Sequence, residues 1–169
     1  MNIVLCGMMG AGKTTVGGAL ASTLGWRFVD TDSLIIEKYG EISTIFDRFG
    51  EEYFREIETG IVKEVVQEDC QVISVGGGLV LKEENVSLLK ECKVIYLQAS
   101  ANVLAGRLAG CEDRPLLKVG VGTLQDRIEK IMKERTSIYE GVADFTVDTD
   151  GKSVETVATE IKAFLDKNR

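Results

Sequence analysis

Histidine is absent from this chain, and cysteine and proline are scarce. The 169 residues include no histidine, one proline and four cysteines, Cys6, Cys70, Cys92 and Cys111. Because histidine is the commonest general base in enzymes, any proton transfer must fall to a carboxylate. The cysteines lie far apart and form no Cys-x-x-Cys pair, so we expect no zinc site. We expect reduced, mostly buried thiols, as in a cytoplasmic protein.

An excess of positive charge and long apolar runs are also missing. The net charge of −7 argues against nucleic acid as the main partner, because binding to a phosphate backbone requires a basic surface. No apolar run approaches the length of a membrane span, and we expect no cleavable signal before the first strand. No linker rich in proline, glycine or serine divides the chain. We therefore expect one domain over residues 1–169.

Short β-type runs alternate with helical stretches along the whole chain. The predicted strands cover residues 3–6, 27–29, 72–75, 94–97 and 145–147. The predicted helices cover residues 13–24, 33–39, 43–49, 51–68, 83–91, 101–109, 121–139 and 154–167. Alternation of this kind, with continuously apolar strands, is typical of an α/β fold whose parallel sheet is covered on both faces.

A phosphate-binding loop follows the first predicted strand. The segment from Gly7 to Thr14 matches the pattern G-x-x-x-x-G-K-[ST] at every fixed position. Glycines let successive N–H groups turn toward a phosphate, and the new helix adds the positive end of its dipole. Lys13 is placed to neutralise the outer phosphates, and the Thr14 hydroxyl to bind Mg²⁺. The complete pattern in this setting disfavours a glycine-rich turn that binds nothing and predicts binding of a nucleoside triphosphate.

A pair of carboxylates follows the second predicted strand. In an extended chain, Asp30 and Asp32 would project to the same side, toward one cleft. One of them could hold the solvated Mg²⁺ while the other takes a proton from an attacking hydroxyl. The alternative is that Thr31 or Asp32 caps the next helix. Capping needs only one such group, so the pair favours a function.

Three consecutive glycines end the third predicted strand. Gly76, Gly77 and Gly78 leave room for a ligand to reach backbone N–H groups. A tight turn is the alternative, although one glycine would usually suffice for it. Ser74 could join the water network around Mg²⁺.

Two arginines on predicted helices could bind an anion. Arg55 and Glu58 lie three residues apart on one helix, so Glu58 can hold Arg55 in position. Arg135 is spaced onto the apolar side of its helix, where it must reach solvent or meet an anion. Intramolecular salt bridges remain the alternative for each arginine alone. Together with Lys13 and Arg114, they imply a triphosphate and a small acidic acceptor.

The segment 110–122 differs from the rest of the chain. It has glycines at both ends and Arg114 in a charged centre, so we expect a lid that closes over the site. The alternative is a plain surface loop.

In order and spacing, this set of motifs resembles shikimate kinases over residues 2 to about 150. The motifs are Gly7–Thr14, Asp30-Thr31-Asp32, Phe54-Arg55-Glu56-Ile57-Glu58, Gly76-Gly77-Gly78, Arg114-Pro115-Leu116-Leu117 and Arg135 through Tyr139. The resemblance implies a P-loop NTPase of the three-layer, nucleoside-monophosphate-kinase-like type, with a five-stranded parallel sheet in the order 2-3-1-4-5. It also implies transfer of the ATP γ-phosphoryl group to the 3-hydroxyl of shikimate, giving shikimate 3-phosphate and ADP in aromatic amino-acid biosynthesis.

The resemblance further implies roles for individual residues on the nucleotide side. The ATP phosphates would be bound by Gly10, Ala11, Gly12, Lys13, Thr14 and Thr15. Mg²⁺ would be held by Thr14, with Asp30 in its outer shell. Arg114 would reach the phosphates from the lid, and Arg107 would lie near the adenine. Residues 148–153, where the family's adenine loop falls, are too variable to match one by one.

On the acceptor side, the resemblance implies that Asp32 binds the shikimate hydroxyls and accepts the proton. Arg55 and Arg135 would bind the carboxylate, and the glycines at 76, 77 and 78 would contact the substrate through their backbone. ATP and shikimate would be the partners of a monomer, without nucleic acid or membrane. Two rivals remain. A related gluconate or nucleotide kinase would not need both arginines and the triple glycine. A non-catalytic ATP-binding module is disfavoured by the joint presence of Lys13, Thr14, Asp32 and Arg114.

Overall fold

Five short strands form one parallel sheet in the computed structural model, which describes residues 1–110 and 121–168. The strands are β1 Ile3–Cys6, β2 Arg27–Asp30, β3 Gln71–Ser74, β4 Lys93–Gln98 and β5 Phe145–Asp148. All neighbouring pairs are parallel, and the order β2-β3-β1-β4-β5 confirms the predicted topology. Every residue of β1 and β3 is buried because helices cover both faces of the sheet.

Seven helices and one short 3-10 turn connect the strands within the described ranges. They are α1 Lys13–Leu24, α2 Thr31–Tyr39, α3 Ile42–Val65, the turn Leu79–Leu81, α4 Glu83–Leu88, α5 Ala101–Leu108, α6 Leu124–Val142 and α7 Val154–Lys167. The helices predicted over 43–49 and 51–68 join in α3, and the predicted break survives as a kink at Gly50, whose φ is 84° and ψ is 173°. None of the helices in the described ranges is both long and apolar enough to cross a membrane.

Helix α1 packs closely on the sheet and on α7. Gly17 makes this approach possible, because a methyl group at its position would collide with the ring of Phe28 and lie 3.2 Å from Leu5. On another part of the sheet, α5 packs against α6. The tight seating of α1 fixes the position of the loop that precedes it.

The parallel arrangement brings the carboxyl ends of the strands to one edge of the sheet. The phosphate-binding loop follows β1, while β2 ends at Asp30 and β3 at Ser74. The segment after β5 arrives at the same edge. Ligands of open parallel sheets bind at this edge.

Part of the sequence-based prediction lies outside the described residues. Positions 111–120, which hold most of the predicted lid, Arg114 and Cys111, are among them, as is position 169. Among the described cysteines, Cys6 and Cys92 are buried and Cys70 is exposed, and all three are free thiols. Two of the three described thiols are therefore buried, as expected, and Cys70 is the exception.

Candidate active site

A cleft of about 420 Å³ opens at the carboxyl edge of the sheet. The phosphate-binding loop and the first turn of α1 form one wall through residues 9–16. The ends of β2 and β3 contribute Asp30, Asp32, Ser74, Val75 and Gly77. The cleft thus brings together residues that the sequence placed in separate motifs.

The phosphate-binding loop has the backbone shape that its glycines permit. Gly7 has a φ of 137°, and a methyl group there would lie 2.5 Å from the carbonyl oxygen of Leu97. Gly12 has a φ of 93° and caps the N-terminus of α1. Lys13 Nζ donates hydrogen bonds to the carbonyl oxygens of Gly7 (2.9 Å) and Met8 (3.0 Å). The lysine ammonium therefore lies over the loop, where an anion would meet it.

Thr14 and Asp30, which both line the cleft, form a polar pair. The Thr14 hydroxyl donates a 2.7 Å hydrogen bond to Oδ2 of Asp30. The other carboxylate oxygen of Asp30 accepts the N–H of Ser33 at 3.1 Å, so Asp30 is the N-cap of α2. Neither Thr31 nor Asp32, the alternative caps that the sequence left open, therefore caps this helix.

Asp32 lies in the first turn of α2 and lines the cleft. The chain is helical from Thr31 onward, so the prediction that the two aspartates share an extended segment is wrong. They still reach the same cleft, because a helix that begins at Thr31 turns Asp32 back toward it. A methyl group on Gly76 would collide with Oε1 of Glu58 and lie 3.2 Å from Oδ1 of Asp32. The two carboxylates thus converge beside Gly76.

Arg55 is held by two carboxylates on its own helix. Its guanidinium forms an ion pair with Glu58, and Nη2 donates to Oε1 of Glu51 at 3.0 Å. Burial lowers the pKa of Arg55, but these carboxylates outweigh it and raise the pKa overall. Glu58 is only 1% exposed. The pKa of the Glu58 carboxyl is raised to about 7, because burial and the nearby Asp32 together outweigh the opposing effect of Arg55.

Arg135 is buried on the inner side of α6, as its spacing predicted, with 8% of its surface exposed. Its Nη1 donates to the carbonyl oxygen of Gly77 at 3.4 Å. Gly78, the next residue, lies against Arg55: a methyl group there would be 2.5 Å from Cζ and both terminal nitrogens of that guanidinium. One glycine turn therefore contacts two arginines from separate helices.

The other end of the cleft is closed by Arg107 and the segment after β5. Arg107 Nη1 donates to the carbonyl oxygen of Gly10 (3.1 Å) and to Oγ1 of Thr149 (3.4 Å). Thr149 is 3% exposed. The lining continues with Lys152, Ser153, Val154 and Val157. The sequence placed the family's adenine loop at residues 148–153 but selected no single residue there, although the position after the last parallel strand was an available signal.

The oxygen atoms of Thr14 and Asp30, which line the cleft, suit a magnesium ion. The Thr14 hydroxyl and the Asp30 carboxylate already lie within hydrogen-bond distance of each other. Within residues 1–110 and 121–168, no group of three or more histidine, cysteine, aspartate or glutamate side chains could hold a metal. Mg²⁺ in kinases is held by one or two protein oxygens together with phosphates and water, so a sparse site of this type fits.

Comparisons with known proteins agree with this geometry. The shikimate kinase family model matches residues 9–166. The shikimate kinase of Thermodesulfovibrio yellowstonii is 46% identical over 95% of this chain and 92% of its own length. That of Geobacter sulfurreducens is 44% identical over 97% of this chain and 90% of its own length. A solved structure of shikimate kinase from Acinetobacter baumannii in complex with shikimate superposes with a TM-score of 0.95, at 34% identity, over 99% of this chain and 94% of that one. The chain belongs to the shikimate kinase family of ATP-dependent kinases.

Proposed function

We propose that this chain transfers the γ-phosphoryl group of MgATP to the 3-hydroxyl of shikimate, and that the cleft at the carboxyl edge of the sheet is where it does so. The observation that carries the proposal is the glycine turn after β3. Gly77 contacts Arg135 and Gly78 contacts Arg55, so two guanidinium groups flank one short turn. This arrangement suits a small acceptor that carries a carboxylate, because a guanidinium binds a carboxylate through paired hydrogen bonds.

The nucleotide occupies the half of the cleft formed by the phosphate-binding loop. The backbone N–H groups from Gly10 to Thr15 bind the phosphates, and Lys13 neutralises their outer charge. Thr14 binds Mg²⁺, with Asp30 in its outer shell; the bound ion supplies positive charge to the phosphate oxygens. Arg107 and Thr149, which close that end of the cleft, lie beside the base.

The acceptor occupies the other half, between Asp32 and the glycine turn. Asp32 orients the attacking hydroxyl and accepts its proton, which is consistent with a chain that has no histidine. Arg55 and Arg135 hold the acceptor carboxylate, and the backbone of Gly76, Gly77 and Gly78 completes the subsite. Catalysis then consists of positioning and charge neutralisation, since phosphoryl transfer requires little covalent chemistry from the protein.

The role that we propose for Arg114 is argued from the sequence. It would add positive charge to the phosphates from a lid over 110–122, and closure of the lid would exclude water. We further propose that the chain works as a single-domain monomer in the cytoplasm, without nucleic acid or membrane as a partner.

The test is release of ADP from MgATP with shikimate, gluconate, nucleoside monophosphates or no acceptor. We expect release that depends on shikimate, and formation of shikimate 3-phosphate in equal amount, measured by phosphorus NMR. A Lys13→Ala variant controls for contaminating kinases and should be inactive. Preference for another acceptor, or release without any acceptor, would contradict the proposal.

A further inference from the structure

The carbonyl oxygens of the glycine turn are all occupied within the protein. Gly76 accepts the N–H of Leu79 at 3.0 Å, and Gly78 accepts the N–H of Leu81 at 3.2 Å. The carbonyl of Gly77 lies between them and accepts the hydroxyl of Tyr139 as well as Nη1 of Arg135. The direction of the middle carbonyl is thus set by side chains of α6, and not by the turn itself.

Tyr139 is a buried residue that the proposed mechanism does not use. Its relative exposure is 0%, and its ring stacks on that of Tyr96 with the centroids 5.1 Å apart. Burial raises the pKa of Tyr139 to about 12, so its hydroxyl keeps the proton that it donates. The same hydroxyl lies 3.9 Å from Sδ of Met8, in the phosphate-binding loop. The hydroxyl has a single proton, and its short contact is with the Gly77 carbonyl and not with Met8.

Because the Gly77 carbonyl is fixed, the N–H of Gly78 on the other side of the same peptide is fixed as well. The peptide between Gly77 and Gly78 is trans and planar, so its C=O and N–H point in opposite directions. When Tyr139 and Arg135 hold the oxygen, the N–H of Gly78 is turned away from α6. Glycines lack a side chain that would restrict this rotation, so the turn needs an external constraint.

We propose that Tyr139 is a positioning residue for the acceptor: its hydroxyl holds the Gly77–Gly78 peptide in the orientation that presents the Gly78 N–H, beside Arg55, to the acceptor carboxylate. This assignment rests on the proposed function for the nature of the acceptor. Loss of the hydroxyl frees the peptide to rotate while Arg135 keeps only its 3.4 Å contact. Acceptor binding is then weakened, and nucleotide binding is not.

The first experiment compares Tyr139→Phe with Tyr96→Phe in steady-state kinetics. Both substitutions remove a hydroxyl from a buried ring of the same stack, but the Tyr96 hydroxyl pairs with Thr136 instead of the turn. With a net contribution of about 0.5–1.5 kcal/mol for one hydrogen bond, Tyr139→Phe should raise the KM for shikimate roughly 2- to 13-fold. The KM for MgATP should stay within about 2-fold of the wild-type value in both variants. An unchanged KM for shikimate in folded Tyr139→Phe would overturn the proposal.

The second experiment needs no substrate and separates this proposal from the proposed function. Protein labelled with ¹⁵N-glycine reports the amide environments of the turn by NMR. Tyr139→Phe should shift the amide signals of Gly77 and Gly78, while Tyr96→Phe should leave them in place. If the wild-type protein fails to phosphorylate shikimate, the proposed function fails, but the glycine signals still decide the role of Tyr139. Unmoved signals in Tyr139→Phe would show that the turn holds its own orientation and would overturn that role.

Discussion

The guanidinium of Arg55 lies flat against the α-carbon of Gly78. A methyl group at this glycine would be 2.5 Å from Cζ, Nη1 and Nη2 alike, so the contact is with the face of the guanidinium and not with its edge. The φ of Gly78 is −99°, which any residue can adopt, so only this contact requires a glycine. The position of Arg55 therefore depends on the absence of a side chain on another element.

We predict that Gly78→Ala displaces Arg55 and weakens acceptor binding. The collision is with the end of a flexible side chain, so the fold should tolerate it while the guanidinium moves away. Loss of one charge-assisted contact of about 1.5–3 kcal/mol corresponds to a rise of roughly 10- to 150-fold in the dissociation constant for shikimate. Isothermal titration calorimetry measures this constant. The control is Gly60→Ala in the same helix as Arg55, where a methyl group meets nothing within 4 Å; equal effects of the two substitutions would contradict the argument.

We predict that Arg135→Ala weakens shikimate binding to a similar extent, again by loss of a charge-assisted contact, and leaves ATP affinity nearly unchanged. Arg55→Lys keeps the charge but loses the planar fork, so it should also be impaired. Titration of the folded variants with each ligand gives the two affinities. If Arg135 only supports the fold through its contact with Gly77, alanine will lower the melting temperature and spare shikimate affinity.

We predict that Asp32→Asn retains ATP binding and loses activity. An amide cannot accept the proton of the attacking hydroxyl, and loss of a general base typically lowers kcat by about 10²–10⁴-fold. Stopped-flow measurement of a single turnover separates this loss from slow product release. A near-normal kcat would leave Asp32 with a binding role alone.

We predict that Asp30→Ala and Asp30→Asn differ in stability. Alanine removes both the cap of α2 and the partner of Thr14, and loss of an N-cap costs about 1 kcal/mol of the free energy of unfolding. Asparagine caps as well as aspartate does, so Asp30→Asn should unfold near the wild-type urea concentration. Both variants should need more Mg²⁺ for half-maximal activity. An unchanged Mg²⁺ requirement in both would remove Asp30 from the metal's outer shell.

The fold was predictable because its signals are local. The continuous apolar character of segments such as Ile3–Cys6 gave the parallel strands, and the glycine at 50 marked the kink in α3. The predicted start of α2, residue 33, was two residues late, because Asp30 caps the helix and Thr31 is its first residue. A single polar side chain decides where such a helix begins. Sequence patterns therefore predict the type of an element better than its first residue.

The site was predictable where residues of one motif act together, and less so where contacts join distant segments. The ion pair of Arg55 with Glu58 follows from helical spacing. The bond from Tyr139 to the Gly77 carbonyl does not, because it depends on how α6 packs against the end of β3. Thr149 was missed for the same reason: its contact with Arg107 joins the segment after β5 to α5.

The buried carboxyl of Glu58 gives a final prediction, on the pH dependence of stability. Burial raises its pKa from the ordinary value of 4.5 to about 7 in the folded protein. Between these two values the folded protein binds more protons than the unfolded chain. The contribution of Glu58 to the free energy of unfolding is therefore fully present below pH 4.5 and is lost as the pH rises toward 7.

Glu58→Gln removes this titration, so its free energy of unfolding should fall less than that of the wild type between pH 4.5 and 7, as measured by urea denaturation. The substitution also breaks the ion pair with Arg55, so the readout is the difference in slope and not the absolute stability. Glu56→Gln is the matched control, since Glu56 is exposed on the same helix. Its slope should equal that of the wild type. Parallel slopes for all three proteins would mean that Glu58 is already ionised at pH 4.5, held so by Arg55.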